Sequence, residues 1–305
     1  MSNRVSVLGS LPARPSRLAN PTGCSLVWRQ RKLAVRSVPL EKQISLPPLE
    51  TPEGLVDCLQ RSPVRLVRLD LPLGESQLRS WANACHGAKK PAYVRVLPTR
   101  NLPSVTNPLQ WKIKRSFDWL AAALILLLSS PIMMAIALLL SVSSPGPILF
   151  RQWRVGERGK LFQILKFRTM VVDAERQHHQ VMGNQAGLHK LKDDPRITPI
   201  GRLLRRYSLD ELPQLLNVLR GEMSLVGPRP WALYDAVRIA PELQHRLNAL
   251  PGITGAWQVE ARSTQLDINI VNRNDLNYLS HWSLVQDFKF LLMTIPKVIS
   301  GFGAY

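Results

Sequence analysis

The chain has 305 residues, of which 45% are hydrophobic, so a buried core is expected and a wholly disordered protein is excluded. Lys and Arg number 40 against 21 Asp and Glu, giving a net charge of +19 that favours polyanions: nucleic acid, anionic lipid or phosphorylated substrates. Three isolated cysteines, Cys24, Cys58 and Cys85, exclude a disulfide framework and a cysteine zinc site.

The N-terminal third divides into three predicted parts. Residues 1–51 are basic, show no clear apolar period and are predicted to be a mostly irregular arm without a signal-peptide core. Residues 52–98 contain an alternating strand pattern, a helical pattern and a second strand pattern, which predict a small β-α-β module. Residues 98–110 carry three prolines, and residues 99–110 are interpreted as a linker.

The segment 111–150 contains the strongest compositional feature, a run from Trp119 to Phe150 without a charged residue. Its length exceeds the roughly 20 residues that cross a bilayer as a helix. However, Pro131 lies near its middle, and each half then measures about 12 residues, or about 18 Å of helix. Basic residues at both ends favour a re-entrant hairpin entering and leaving by the cytoplasmic face. A spanning helix and a buried hairpin of a soluble core remain as alternatives.

Residues 151–305 are predicted to form the catalytic domain. Two strand patterns, 148–154 and 160–169, precede helical patterns at roughly 171–182, 197–220, 231–249 and 273–300. Within them, the segment 197–207 places Ile197, Ile200, Leu203, Leu204 and Tyr207 on one helical stripe, with arginines beside it. This stripe either lies in a lipid interface or packs on the core.

Asp210 and Glu211 are adjacent acids at the expected start of a helix that runs to Arg220 and stops at Gly221. Unpaired N–H groups at such a position favour an ionised carboxylate that can act as a nucleophile or ligate Mg²⁺. The alternative is structural, because Ser208-x-x-Glu211 matches a capping box.

Several cations are candidates for binding phosphate. Arg229 lies between two prolines that restrict the backbone of a Gly-Pro-Arg-Pro loop, 227–230. Lys166 and Arg168 end a predicted strand two residues apart, on the same face. Arg262 follows the turn motif Pro-Gly-Ile-Thr-Gly at 251–255. Each cation either contacts phosphate or is simply solvated.

Absent motifs narrow the function further. The sequence contains neither a G-x-x-x-x-G-K-[ST] loop nor a G-x-G-x-x-G motif, which argues against P-loop ATPases and dinucleotide-binding enzymes. Nucleic-acid signatures are also absent, and the uncharged segment has no place in a nucleic-acid-binding protein, so no nucleic-acid partner is expected.

Taken in order, the motifs resemble the bacterial sugar transferase family, the monotopic phosphoglycosyl transferases, over about residues 110–300. The matching features are Lys114-Arg115-x-x-Asp118, the apolar segment with Pro131, Gly146-Pro147, the Lys-Phe-Arg-Thr-Met segment 166–170, the Asp-Glu segment 208–215, the loop 227–230 and the turn 251–255. One departure is Ala261, where the family usually has glycine before the arginine.

The resemblance implies an α+β, helix-rich catalytic domain on a re-entrant membrane helix at the cytoplasmic face of the inner membrane. It implies transfer of a sugar 1-phosphate from a UDP-sugar to polyprenyl (undecaprenyl) phosphate with release of UMP, an early step of exopolysaccharide or glycan synthesis. Asp210 would be the nucleophile and a ligand of the cofactor Mg²⁺, with Glu211 as its partner. Arg229 resembles the nucleotide-phosphate contact.

The resemblance also concerns the anchor and the partners. Ser130 and Pro131 resemble the family's helix break, and Lys114 and Arg115 its interfacial basic pair in contact with membrane lipid. A homo-oligomer is compatible with the sequence. The different-class alternative is an inactive membrane-associated scaffold of the same lineage, which the presence of Asp210, Glu211 and Arg229 disfavours.

Overall fold

The computed structural model describes residues 4–7, 23–38, 51–99, 101–183, 191, 193–260 and 267–301. Within them the helices α1 to α11 are Pro52–Arg61, Gly74–Gly87, Pro103–Thr106, Pro108–Ser143, His178–Met182, Pro199–Arg206, Gln214–Leu219, Leu233–Ala236, Ala256–Glu260, Ile268–Ser280 and Leu284–Ser300. The strands β1 to β10 are Arg4–Val7, Gly23–Arg29, Lys32–Val38, Leu66–Leu69, Ala92–Val94, Leu149–Val155, Leu161–Phe167, Ser224–Val226, Trp231–Ala232 and Gly252–Thr254. The structure is thus helix-rich with mixed sheets, which confirms the α+β class.

The chain forms two compact units. Unit 1 comprises residues 1–97, 153–162 and 231–238, and unit 2 comprises residues 98–152, 163–230 and 239–305. The candidate site residues that the structure describes all belong to unit 2, which also carries the long apolar helix α4.

Unit 1 contains a five-stranded sheet of order β1-β2-β3-β4-β5. The first three strands pair antiparallel, whereas β3, β4 and β5 are parallel and are connected through α1 and α2. Fully buried Val35, Val67, Leu69 and Leu78 form part of its core. The sheet is therefore larger than the β-α-β pattern of residues 52–98 indicates.

Within the predicted arm of residues 1–51, residues 23–38 form a hairpin of β2 and β3, which the expectation of a mostly irregular arm did not include. Its inward side chains include Cys24, Leu33 and Val35, all buried. The two turn residues Gln30 and Arg31 have φ values of 48° and 62°. A two-residue turn of this hand normally carries Asn or Gly. The turn has the sequence Gln-Arg in a segment rich in charged residues, so no turn could be predicted there from the sequence.

In unit 2, α4 continues through Pro131 as one helix from Pro108 to Ser143. Pro131 has no N–H to donate to the carbonyl of Leu127, and the Ser130 hydroxyl donates to that carbonyl instead at 2.7 Å. The serine therefore satisfies this carbonyl, and the helix stays continuous across the proline. By length and composition α4 is able to cross a membrane.

The second half of α4 packs on the elements that carry the candidate site. Ile136 and Leu140 form a buried cluster with Phe167 of β7 and Leu204 of α6, and Leu209 packs against the same cluster. Phe167 immediately follows Lys166, and Leu209 immediately precedes Asp210. The apolar helix thus packs directly on the residues that adjoin Lys166 and Asp210 in the sequence.

The first half of α4 is held by buried ion pairs. Lys114 Nζ lies 2.7 Å from Asp287 Oδ2 and 3.6 Å from Asp118 Oδ1. Arg115 Nη1 contacts Asp118 Oδ2 at 2.9 Å and donates to the Met223 carbonyl at 3.0 Å. Lys114 is 3% exposed. Internal carboxylates therefore pair with both cations, and the role of Lys114 and Arg115 as an interfacial basic pair stays a prediction.

The carboxylates of this network have further partners in unit 2. Asp118 accepts hydrogen bonds from the Ser224 hydroxyl at 2.8 Å and the Leu225 N–H at 3.2 Å. Asp287 accepts from the Tyr278 hydroxyl at 2.5 Å and from Trp282 Nε1 at 3.1 Å. Burial and the neighbouring Asp287 charge raise the pKa of Tyr278 well above its usual value. The phenol thus remains a donor, and the network fixes α4 to β8 and α11.

Candidate active site

Asp210 and Glu211 lie in a single 3₁₀ turn, Leu209–Glu211, between α6 and α7. The predicted helix over 197–220 is interrupted here because Ser208 has a left-handed φ of 54° and Pro213 cannot donate a backbone hydrogen bond. Ser208 makes no side-chain cap, so the capping-box alternative is wrong. α7 begins only at Gln214 and ends before the left-handed Gly221, close to the predicted stop.

The structure brings two predicted site residues together. Lys166 Nζ, at the end of β7, donates to Glu211 Oε1 at 2.7 Å. The side chains are 18% and 19% exposed, so the pair is shielded but reachable from solvent. An ion pair of this kind fixes the direction of the Glu211 carboxylate.

Asp210 is buried, and its charge and that of Arg205 attract each other. Burial lowers the pKa of Arg205, while the charges of Asp210 and Asp194 oppose that change. Its Nε donates to Thr169 Oγ1 at 2.9 Å, which ties α6 to the segment that follows β7. Sequence reasoning missed this role, because Arg205 looked like one of three cations beside an apolar stripe.

Arg168 has a different environment from Lys166. Its Nη2 donates to the Ser144 carbonyl at 2.9 Å and to the Ser144 hydroxyl at 2.6 Å, at the C-terminal end of α4. The Arg168 side chain is buried, and its Nη1 has no hydrogen-bond partner among the described residues. A cation at a helix C-terminus complements the unpaired carbonyls there. The structure therefore shows a capping contact for Arg168, and its predicted role in substrate binding stays a prediction.

The Gly-Pro-Arg-Pro loop is held by a second set of residues. The Arg229 guanidinium lies over the Trp257 ring, 5.3 Å from its centroid, and the Arg229 carbonyl accepts from Arg246 Nη2 at 2.5 Å. Arg246 in turn pairs with the buried Asp275 at 2.5 Å. Burial raises the pKa of Asp275, and Arg246 and Arg229 oppose the rise. Arg229 is thereby oriented by an aromatic face and a fixed backbone.

Two glycines allow this loop to approach the turn motif at 251–255. The Gly227 N–H donates to the Thr254 carbonyl, and the Gly252 N–H donates to the Pro228 carbonyl, both at 2.9 Å. A Cβ on Gly252 would collide with the backbone nitrogen of Gly227. The motif itself contains the short strand β10, and the helix α9 follows it. Arg262 and Ala261 lie outside the described residues.

The amphipathic stripe of α6 packs on the core in part, and its contact with a lipid interface stays a prediction. Ile200 and Leu204 pack in the cluster with α4, whereas Leu203 is 54% exposed and Tyr207 is 36% exposed. Helix α11 presents a further apolar stripe, in which each side chain is at least half exposed: Val285, Phe288, Leu292, Ile295 and Ile299.

Comparison with known proteins gives a consistent result. A family model described as bacterial sugar transferase matches residues 109–301. The chain is 39% identical over 213 residues to the exopolysaccharide production protein ExoY of Rhizobium meliloti, covering 65% of this chain and 91% of ExoY. It is 43% identical over 216 residues to a UDP-glucose:undecaprenyl-phosphate glucose-1-phosphate transferase of Caulobacter vibrioides, covering 68% and 76%.

A further relative is longer than the region it shares with this chain. The galactosyl transferase CpsE of Streptococcus agalactiae is 43% identical over 165 residues, which cover 52% of this chain and 36% of CpsE. In each comparison only part of this chain is aligned, and the family match leaves residues 1–108 outside it.

Proposed function

The chain belongs to the bacterial sugar transferase family, and on that basis we propose that it transfers a sugar 1-phosphate from a UDP-sugar to polyprenyl phosphate. UMP would be the second product. The observation that carries the proposal is the pairing of Lys166 with Glu211 beside the buried Asp210, on elements packed against the apolar helix α4. Carboxylates, together with cations that can bind a diphosphate, thus lie next to an apolar surface that suits a lipid.

In the proposed reaction, an Asp210 carboxylate oxygen attacks the phosphorus that carries the sugar. The bond between this phosphorus and the oxygen of UMP breaks, UMP leaves with the electron pair, and an aspartyl phosphosugar forms. A phosphate oxygen of the polyprenyl phosphate then attacks the same phosphorus and displaces the carboxylate. The products are the sugar linked to polyprenyl diphosphate and the regenerated enzyme.

Glu211, Lys166 and Arg205 support this step. Glu211, held by Lys166, is placed to accept or return a proton next to the nucleophile. The attraction between the charges of Arg205 and Asp210 keeps a cation beside the proposed nucleophile. These cations also offset the charge that the diphosphate brings.

The family resemblance implies Mg²⁺, and the residues present fit a mode in which protein carboxylates and substrate phosphates bind the ion together. Among the described residues no group of three or more His, Cys, Asp or Glu side chains is placed to hold a metal ion. Mg²⁺ commonly binds one or two carboxylates together with substrate phosphates. Asp210 and Glu211 would hold it in this way, and it would neutralise diphosphate charge.

Arg229→Ala is expected to raise the KM for the UDP-sugar about 10- to 100-fold, because a charge-assisted contact contributes about 1.5–3 kcal/mol. The proposal assigns this guanidinium to the nucleotide phosphates, and Trp257 orients it. Steady-state kinetics with varied UDP-sugar measures the effect. Arg220→Ala, which removes an exposed arginine at the end of α7, is the matched control. Equal KM values in the two variants would remove Arg229 from the binding site.

We also propose that α4 enters the bilayer as a re-entrant anchor from the cytoplasmic side of the inner membrane. Side chains along its middle are exposed and apolar, including Leu120, Leu124, Leu128 and Leu138. Pro131 provides a point at which the helix bends in lipid. The exposed stripes of α6 and α11 would lie in the headgroup region, where amphipathic helices bind.

The anchor topology has a direct test in cysteine labelling. With the native cysteines replaced, Gln110→Cys and Arg151→Cys lie on exposed positions at either end of the apolar segment. In inverted and right-side-out inner-membrane vesicles, a membrane-impermeant maleimide should label both positions from the cytoplasmic face only. Labelling of the two positions from opposite faces would replace the re-entrant anchor with a spanning helix.

The reaction itself is tested by the nucleotide that is released. The purified chain, undecaprenyl phosphate and a panel of UDP-sugars that includes UDP-glucose and UDP-galactose should give UMP, dependent on the lipid phosphate. Release of UDP would indicate ordinary glycosyl transfer, and release of no nucleotide from any UDP-sugar would favour the inactive scaffold.

A further inference from the structure

Asn217 is a polar side chain in the middle of α7 that is fully buried. A buried carboxamide costs free energy unless its donors and acceptor are all hydrogen-bonded. Valine or leucine would fill such a position without this cost. The bonds that Asn217 makes therefore indicate its role.

The carboxamide of Asn217 acts as a substitute strand partner for β7. Its Oδ1 accepts from the Leu165 N–H at 3.0 Å, and its Nδ2 donates to the Gln163 carbonyl at 2.9 Å. The remaining Nδ2 hydrogen goes to Glu222 Oε2 at 2.7 Å. β7 is the edge strand in the sheet order β7-β6-β9, so its outer edge has backbone groups to satisfy. The amide satisfies one donor and one acceptor on that edge.

These bonds join the two elements that carry the Lys166–Glu211 pair. Lys166 follows Leu165 directly on β7, and Glu211 belongs to the turn just before α7. The separation of β7 from α7 therefore sets whether Lys166 Nζ reaches Glu211 at 2.7 Å. Asn217 is the described side chain that bonds to the β7 backbone on both sides of residue 164.

We propose that Asn217 is a positioning residue that keeps Lys166 on Glu211 and thereby preorganises the candidate site. The consequence for catalysis rests on the proposed function, whereas the consequence for the Lys166–Glu211 pair does not. Asn217 itself contacts no substrate in this assignment; it acts through the strand.

The first test uses the reactivity of Lys166 and requires no enzymatic activity. Full-length protein in nanodiscs is treated briefly with acetic anhydride, and acetylation is measured by peptide mass spectrometry. Asn217→Ala should raise the rate at Lys166 severalfold, because a lysine released from an ion pair is more often available to react. The exposed Lys112 is the internal reference. Val218→Ala, which truncates the adjacent buried apolar side chain, should leave Lys166 protected.

The second test is a double-mutant cycle in kcat. Asn217→Ala should lower kcat about 10²-fold while the KM for the UDP-sugar changes by less than about threefold, since a small displacement of a catalytic group affects mainly the transition state. If Asn217 acts through Lys166, the double variant with Lys166→Met should be about as slow as Lys166→Met alone. A purely structural role predicts that the two losses multiply.

The outcomes separate this inference from the proposed function. Unchanged acetylation at Lys166 in Asn217→Ala, or multiplying losses in kcat, would overturn the positioning role even in an active enzyme. Increased acetylation with no nucleotide release from wild type would support the positioning role and contradict the proposed function. Should Asn217→Ala fail to fold, Asn217→Asp combined with Glu222→Gln keeps the shape and still removes the donor to Gln163, so the same results are expected.

Discussion

Asp210→Asn should reduce UMP release at least about 10³-fold, because an amide has no anionic oxygen with which to attack phosphorus. The substitution preserves the size of a buried side chain in a turn that packs on α4, so the fold should persist. Initial rates with the preferred UDP-sugar and undecaprenyl phosphate measure the loss. Thermal unfolding of the purified variant, compared with wild type in detergent, shows whether the variant is folded.

Asp173→Asn is the matched control for this prediction. Asp173 is exposed and pairs across the surface with Arg176, so its loss should leave the rate within about twofold. Full activity in Asp210→Asn would assign the attack to another group, with direct transfer between the two bound substrates as the simplest alternative.

Lys114→Met is the substitution with the largest expected effect on stability. It leaves Asp287 and Asp118 in a buried site without their ammonium partner, a loss that typically costs about 3–5 kcal/mol. For a domain of this size the midpoint of thermal unfolding should fall by roughly 10 °C. Scanning fluorimetry of the protein in nanodiscs measures this shift. Asp287→Asn is an independent check on the same ion pair.

Lys112→Met is a close control, because Lys112 lies two residues away on α4 and is exposed. Its unfolding midpoint should change little, since exposed substitutions are usually within about 0.5 kcal/mol. If the two lysines instead bound lipid headgroups equally, both variants would weaken membrane association to the same extent and neither would lower stability selectively. That result would favour the interfacial role for Lys114.

The residue types of the candidate site could be read from the sequence, whereas the contacts that hold these residues could not. Asp210, Glu211 and Arg229 stand in short motifs whose residue types suit phosphate chemistry. The contact between Lys166 and Glu211 was not predictable, because their separation depends on how β7 meets α7. Asn217 looked like an ordinary polar residue of a helix, and nothing local indicates that its amide pairs with a strand edge.

The contacts of Lys114 and Arg168 show that partners distant in the sequence can add to what a local pattern indicates. A lysine and an arginine beside a long apolar run are typical of a membrane interface. In this fold Asp287, far along the chain, neutralises Lys114. Arg168 was grouped with Lys166 by strand periodicity, yet its guanidinium binds Ser144 at the end of α4. Strand alternation gives the face of a side chain but not the partner that faces it.

The apolar segment combines features that the sequence predicts with a feature that it does not predict. Its length, its lack of charge and its central proline were readable from composition, and the Ser130 hydroxyl satisfies the carbonyl that Pro131 leaves unpaired. The result is a helix that is continuous through Pro131 in this structure, and the proposed re-entrant bend stays a prediction. The cysteine-labelling test addresses that point.

The covalent intermediate is the most direct test of the central claim, that Asp210 carries the phosphosugar between two substrates. Protein mixed with a UDP-sugar labelled in the sugar, without lipid acceptor, should become labelled and release UMP. Hydroxylamine, which cleaves acyl phosphates, should remove the label, and undecaprenyl phosphate should transfer it to lipid. Asp210→Asn should remain unlabelled. Formation of the lipid product at full rate by wild type that never becomes labelled would contradict the claim.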